Sequence, residues 1–238
     1  MKSRNNLVSS IALIVALTGA PVLTAVAQTA AAPPLADDVP SYKPPLRGAP
    51  GGRVGGASRG ATGTTPLSIE LLAPDGHAGL TTDPSPTIYY FVSRAVSEPL
   101  ILTISGPRQP HPLVETSIQP PRSAGIQSIR LADYKVQLLP GILYSWSVSL
   151  AVDPHAPSRD IVATASIMRV AADPAIDPAT RSAPPLRRAA LLAQAGLWYD
   201  AVAAAADGGS TDRHRALDAL LDQVGLTEAG AADRQTVR

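Results

Sequence analysis

Cysteine is absent from all 238 residues of the chain. Its absence excludes disulfides, Cys-based zinc sites, a thiol nucleophile and a lipid-modified cysteine as a tether. Aromatics make up only 4% of the residues, too few to line a thick aromatic pocket and also fill a core. Charge of either sign is missing in excess: the formal net charge is +1. No basic field therefore argues for nucleic acid, and no acidic tail argues for bound cations. Nowhere after the N-terminus does an apolar run reach the about 20 residues that cross a bilayer. No Walker loop, no Gly-x-Gly-x-x-Gly helix start and no His-x-x-x-His pair occurs either, so the sequence predicts no cofactor and no metal.

What is present begins with Lys2 and Arg4, an apolar stretch from Leu7 to Leu17, then Gly19 and Pro21. The small-x-small triplet Ala25-Val26-Ala27 follows, before Gln28. Basic end, short apolar core, breaker and small residues form the secretory layout, so residues 1–27 read as a signal peptide cut between Ala27 and Gln28. The expected location is periplasmic or secreted. Residues 28–65 are rich in Ala, Pro and Gly and read as a disordered arm, since glycine density such as Gly51-Gly52 and Gly55-Gly56 opposes regular structure.

From Pro66 the pattern changes to short alternating runs split by Pro and Gly turns. Leu67/Ile69/Leu71, Ile88/Tyr90/Val92 and Leu100/Leu102/Ile104 are followed by weaker runs over Leu113 to Ile118 and Ile126 to Leu131. The clearest strand places Tyr144, Trp146, Val148, Leu150 and Val152 on one face and Ser145, Ser147 and Ser149 on the other; a last run covers Ile161 to Val170. Seven short strands over 66–171 predict an immunoglobulin/fibronectin-like antiparallel β-sandwich. The turn Pro140-Gly141 just before Tyr144-Ser145-Trp146 resembles a tyrosine corner, in which Tyr144 bonds back across the turn and Trp146 fills the core. A linker over 172–183 precedes a helical segment over 184–226. Two or three short helices are expected there, the first two a tetratricopeptide-like hairpin that breaks at Gly196, and the third capped by Ser210 or Thr211. Its stripe is Leu217, Leu220, Leu221 and Val224. Residues 227–238 read as a flexible tail. The fold class is mainly β with a C-terminal α part.

Five separated phrases occur together: Gly55-Gly56-Ala57-Ser58-Arg59-Gly60, Gly79 to Thr87, Val92-Ser93-Arg94 with Glu98-Pro99, Tyr144 to Val148, and Gly196-Leu197-Trp198-Tyr199-Asp200-Ala201. With them the chain resembles, from about Tyr42 to Leu226, an exported bacterial family catalogued as domain of unknown function 928. The resemblance implies secretion and one family architecture; the family has no established activity, so it lends no site residue.

Chemistry is sparse. Gly56-Ala57-Ser58-Arg59-Gly60 spells the serine-hydrolase elbow, but that motif needs a strand-turn-helix context, and a Gly-rich arm surrounds it. His77, His111, His155 and His214 are scattered and read as loop histidines; Asp75-Gly76-His77 would need a distant carboxylate to hold a metal. Glu70, Asp83, Glu98, Glu115, Asp133 and Asp160 read as surface carboxylates, with Arg94–Glu98 and Arg159–Asp160 as ion pairs at strand ends. Trp198, Tyr199 and Arg94 are the candidate interaction anchors, since Trp and Tyr combine apolar area with a polar handle. For the two aromatics, gluing the helix to the sandwich is the preferred alternative; Tyr144 and Trp146 read as structural. The leading expectation is an exported non-enzymatic binding or scaffold protein that docks another exported protein or the periplasmic part of a membrane sensor. A carbohydrate-binding module, or a hydrolase with dispersed carboxylates, are the alternatives.

Overall fold

The computed structural model describes residues 39–45, 51–57, 66–151 and 160–235. Residues 1–27, Ser58 of the elbow-like phrase, His155 and Arg159 lie outside the described residues. Among the described residues nine strands form in chain order: β1 (Gly56–Ala57), β2 (Ser68–Leu71), β3 (Gly79–Thr81), β4 (Thr87–Val92), β5 (Leu100–Ser105), β6 (Val114–Ile118), β7 (Gly125–Arg130), β8 (Leu143–Leu150) and β9 (Ile161–Arg169). Five α-helices follow among the described residues: α1 (Asp177–Ser182), α2 (Pro185–Gln194), α3 (Trp198–Ala206), α4 (Ser210–Gln223) and α5 (Thr227–Gln235). The class is therefore mainly β with a C-terminal helical part. All seven strands predicted from alternation are present. Among the described residues, no helix is long and apolar enough to cross a membrane.

The strands divide into a four-stranded sheet, β1-β2-β4-β7, and a five-stranded sheet, β3-β9-β8-β5-β6. Alternation decides which face is buried: β8 hides Tyr144, Trp146, Val148 and Leu150 and turns Ser145 to solvent. Trp146 is 1% exposed. The corner forms as the turn predicts, with the Leu139 N–H donating to the Tyr144 hydroxyl at 3.2 Å. β4 departs from simple alternation. Ile88, Tyr90 and Val92 are buried on one face and Tyr89 and Phe91 on the other. Helices account for the second face, because α3 touches β4, α5 touches β7, and Tyr89 sits in the field of Asp207 and Arg213.

Four expectations need correction. Pairing is not wholly antiparallel: β3, too short to show a period, runs parallel to β9, with Gly79 opposite Ile167. The arm is in part ordered, since Val54 exchanges two backbone bonds with Thr164 of β9 (2.7 and 2.9 Å) and Gly56 pairs with Ile69 of β2. Residues 51–57 thus stitch one sheet to the other along one side. A Cβ at Gly56 would come within 2.7 Å of the Val162 backbone, so glycine, read from sequence as a sign of disorder, is what admits this close approach. The linker contains α1, whose Asp177-Pro178 start suits a first helical turn. The tail contains α5, which has no apolar stripe to betray it. A smaller correction concerns α4: Gly209 occupies its N-cap position, so neither Ser210 nor Thr211 caps it.

Candidate functional site

The start of α3 is where three of the five phrases meet in space: Gly79 to Thr87, Tyr144 to Val148 and Gly196 to Ala201. Gly196, at φ +77°, ends α2 and turns the chain so that Trp198, Tyr199 and Asp200 enter the protein one after another. Trp198 is fully buried; its indole N–H donates to the Leu72 carbonyl at 2.8 Å. The Tyr199 hydroxyl accepts from the Trp146 indole N–H at 2.8 Å and donates to the Ser166 carbonyl at 3.1 Å. Burial pushes this hydroxyl's pKa up, so it remains a donor at every physiological pH. Asp200 accepts from the Thr81 hydroxyl, from the Thr82 N–H at 2.8 Å and from the Thr82 hydroxyl at 2.7 Å. Burial raises the Asp200 carboxyl above the usual range, against the pull of these hydrogen bonds.

Three successive residues therefore grip the end of β2, the β8–β9 pair and the end of β3. This corrects the anchor reading of Trp198 and Tyr199: both are inside, so neither is free to meet a partner. They glue the helices to the sheets, each with its polar end satisfied. The approach is tight enough that a Cβ on Gly79 would lie 2.5 Å from Cε2 of Tyr199. With that ring held at its hydroxyl from two sides, Gly79→Ala should cost about 1–3 kcal/mol by overpacking. A urea titration of the variant checks this, and unchanged stability would mean that the ring moves freely.

A strap closes over the same place. Tyr42, read from sequence as part of the arm, is buried edge-on to Trp198 (centroids 4.9 Å apart) and bonds His77 Nε2 through its hydroxyl at 2.8 Å. Its N–H donates to Gln223 of α4 at 2.8 Å, and the Lys43 N–H donates to the Ala193 carbonyl at 3.1 Å. His77 is thus a half-buried partner of Tyr42 rather than a loose loop residue. His214 is likewise engaged, with Asp233 at 2.5 Å; only His111 among the described histidines is exposed. Among the described residues, no three of His, Asp and Glu gather as a metal-holding group.

Arg94 is exposed in the β4–β5 loop and donates to the Ala95 carbonyl at 3.3 Å; among the described residues it makes no ion pair with Glu98, which corrects that pairing. The carboxylates picked from sequence sit on different elements: Glu70 on β2, Asp83 after β3, Glu115 on β6 and Asp133 in the turn after β7. Glu70 is half-buried, and its pKa is raised by burial and by Glu228. An open groove of about 290 Å³ beside α1 and α2 is lined by Ala175, Ile176, Ala179, Leu191, Gln194 and Ala195, none of them ionisable.

A free sheet edge remains. Residues 51–57 bridge the two sheets on one side; on the other, the strand order ends at β6 and β7. Among the described residues, β6 has β5 on one flank and no strand on the other, and it exposes Glu115 and Ser117. Exposed Arg108 stands in the turn before it and exposed Arg122 shortly after it. Periodicity found β6 as a strand but had no means of showing it to be an edge, because strand order is a property of the whole sheet.

No curated protein and no solved structure matches the chain. A family model does, over residues 54–233, which takes in β1 to β9 and all but the last two residues of α5. The chain belongs to the family described as Domain of Unknown Function (DUF928).

Proposed function

We propose that this protein is an exported, non-enzymatic binding or scaffold protein of the extracytoplasmic space. In this reading its two sheets form an immunoglobulin/fibronectin-like sandwich, and β6 accepts an extended segment of another exported or membrane protein. The open outer flank of β6 is the observation that carries it, because an unpaired strand edge is a row of backbone donors and acceptors ready to template another strand. The cations at either end, Arg108 and Arg122, favour an acidic segment, since complementary charge steers encounter and fixes register. The non-enzymatic part is supported by how the polar side chains are used: Asp200, Tyr199, His77 and His214 are all committed to internal bonds.

Less supports the carbohydrate alternative. Sugar platforms usually use exposed rings, and of the nine aromatics eight are buried and Tyr134 is half-buried.

The mature chain, used as bait in envelope extracts, should capture a partner that the double variant Arg108→Glu/Arg122→Glu binds at least about tenfold more weakly, with unchanged stability. Equal capture by both baits, or no stoichiometric partner, would rule the edge out.

A further inference from the structure

We infer that α5 is a releasable cover, clasped by charged side chains more than by apolar packing, over a seat that takes an amphipathic helix bearing a carboxylate on its docking side. A nine-residue helix is too short to stand alone in water, so what holds α5 down decides whether it is permanent. Its buried positions are few and small: Ala229 and Gly230, with Asp233. Burying small residues releases little hydrophobic free energy compared with Leu217, Leu220 and Leu221, which fix α4. The polar side is dense by contrast. Asp233, with its side chain 5% exposed, receives Arg213 Nη2 at 3.4 Å and His214 Nδ1 at 2.5 Å, both from α4. Arg234 pairs with Asp218 of α4 at 2.8 Å, and Gly230 lies so close to Asp218 that a Cβ there would be 3.1 Å from its Oδ1.

One carboxylate, Asp233, therefore answers both Arg213 and His214 of α4, and its removal takes a shared partner from each in a half-buried setting. Beneath the helix lies β7, whose face turned away from the sheet-to-sheet core carries Ile126 opposite the buried Phe91 of β4. Release of α5 would uncover Ile126 beside Arg213, His214 and Asp218. A surface edged by Arg213, His214 and Asp218 selects an α-helix with small apolar residues on one face, a carboxylate four positions on and a basic residue next to it, the pattern of Ala229, Asp233 and Arg234 themselves. This seat is separate from the β6 edge, and its test uses no envelope partner.

Hydrogen exchange on the full chain reads the clasp. Amides of 227–235 should exchange by a local opening, at least about a hundredfold less protected than those of β8. Asp233→Asn should lower the protection of that segment by about a further tenfold or more, and leave β8 and the burial of Trp146 as they were. Equal protection of α5 and β8 in the parent chain, or loss of β8 protection together with α5 in the variant, would show α5 to be part of the cooperative core and overturn the inference. The seat is read by adding a synthetic peptide of residues 225–238 to the Asp233→Asn chain. Saturable binding that the same peptide lacks when its own Asp233 is alanine supports the seat, and binding by neither or by both peptides overturns it.

Discussion

Trp198→Ala and Tyr199→Ala should each lower the unfolding free energy by about 3–5 kcal/mol, the cost of emptying a large aromatic site in a packed core. Both side chains are essentially without solvent contact and belong to one continuous apolar cluster that runs from the sheets into α2, α3 and α4. The two differ in what they leave behind. Loss of Trp198 takes away the face on which Tyr42 rests and leaves the Leu72 carbonyl without its indole donor. Loss of Tyr199 strips the Trp146 indole of its acceptor. Tyr199→Phe isolates that polar part, since it keeps the ring and removes the hydroxyl; about 1–3 kcal/mol is expected for the unpaired indole N–H. Denaturant titrations followed by tryptophan fluorescence give all three values. A Trp198→Ala chain as stable as the parent would restore the anchor reading, because only a side chain uninvolved in folding can be removed at so little cost.

How much of this was legible beforehand follows from what each feature depends on. Strands such as β8 announce themselves, because a period of two sustained over eight residues suits a half-buried strand and does not suit a helix. The corner at Tyr144 was legible for the same reason: a Pro-Gly turn and an aromatic at fixed spacing make a local motif. β3 is three residues long and leaves no period at all; it exists because β9 offers an edge beside it. Tyr42 illustrates the limit more sharply. Its neighbours Pro40, Pro44 and Pro45 do forbid a helix, but an extended chain can lie against a surface as well as in water, and only the position of Trp198 and Gln223 decides. α5 was missed because it lacks an apolar stripe; its determinants, Arg213, His214 and Asp218, lie on another helix. The grip of α3 on the sheets is half legible. Trp198 and Tyr199 stand out as large amphipathic side chains, and their preferred role as glue is the one found, whereas Asp200 beside them is not among the carboxylates that the sequence singles out. Its partners, Thr81 and Thr82, are more than a hundred residues away in sequence. A carboxylate followed by a run of buried alanines at a helix start, opposite a Thr-Thr pair at a strand end, is the signal that could have found it.

Asp200 is also where charge and stability are most closely coupled. Asp200→Ala should cost about 3 kcal/mol, because one backbone N–H and two hydroxyls lose their common acceptor at a site with little access to water. Asp200→Asn should be far milder. The Thr82 N–H can only donate, so the amide oxygen must face Thr82, which leaves the amide nitrogen toward Thr81, whose hydroxyl can rotate to accept. The two variants thus separate shape from charge, and pH separates them further. Since the folded pKa of Asp200 lies above that of the unfolded chain, the folded protein holds this proton more tightly. The resulting stabilisation is complete below the unfolded value, near 3.8, and is lost as pH rises through the folded pKa. Above that pH the parent keeps a buried charge that asparagine does not carry. The stability difference between parent and Asp200→Asn should therefore shift toward the parent as pH falls from neutrality toward about 4, and toward asparagine as it rises. Thermal melts of both proteins across that range measure the difference directly; parallel curves would mean that the three donors cancel burial, and a reversed trend that they outweigh it.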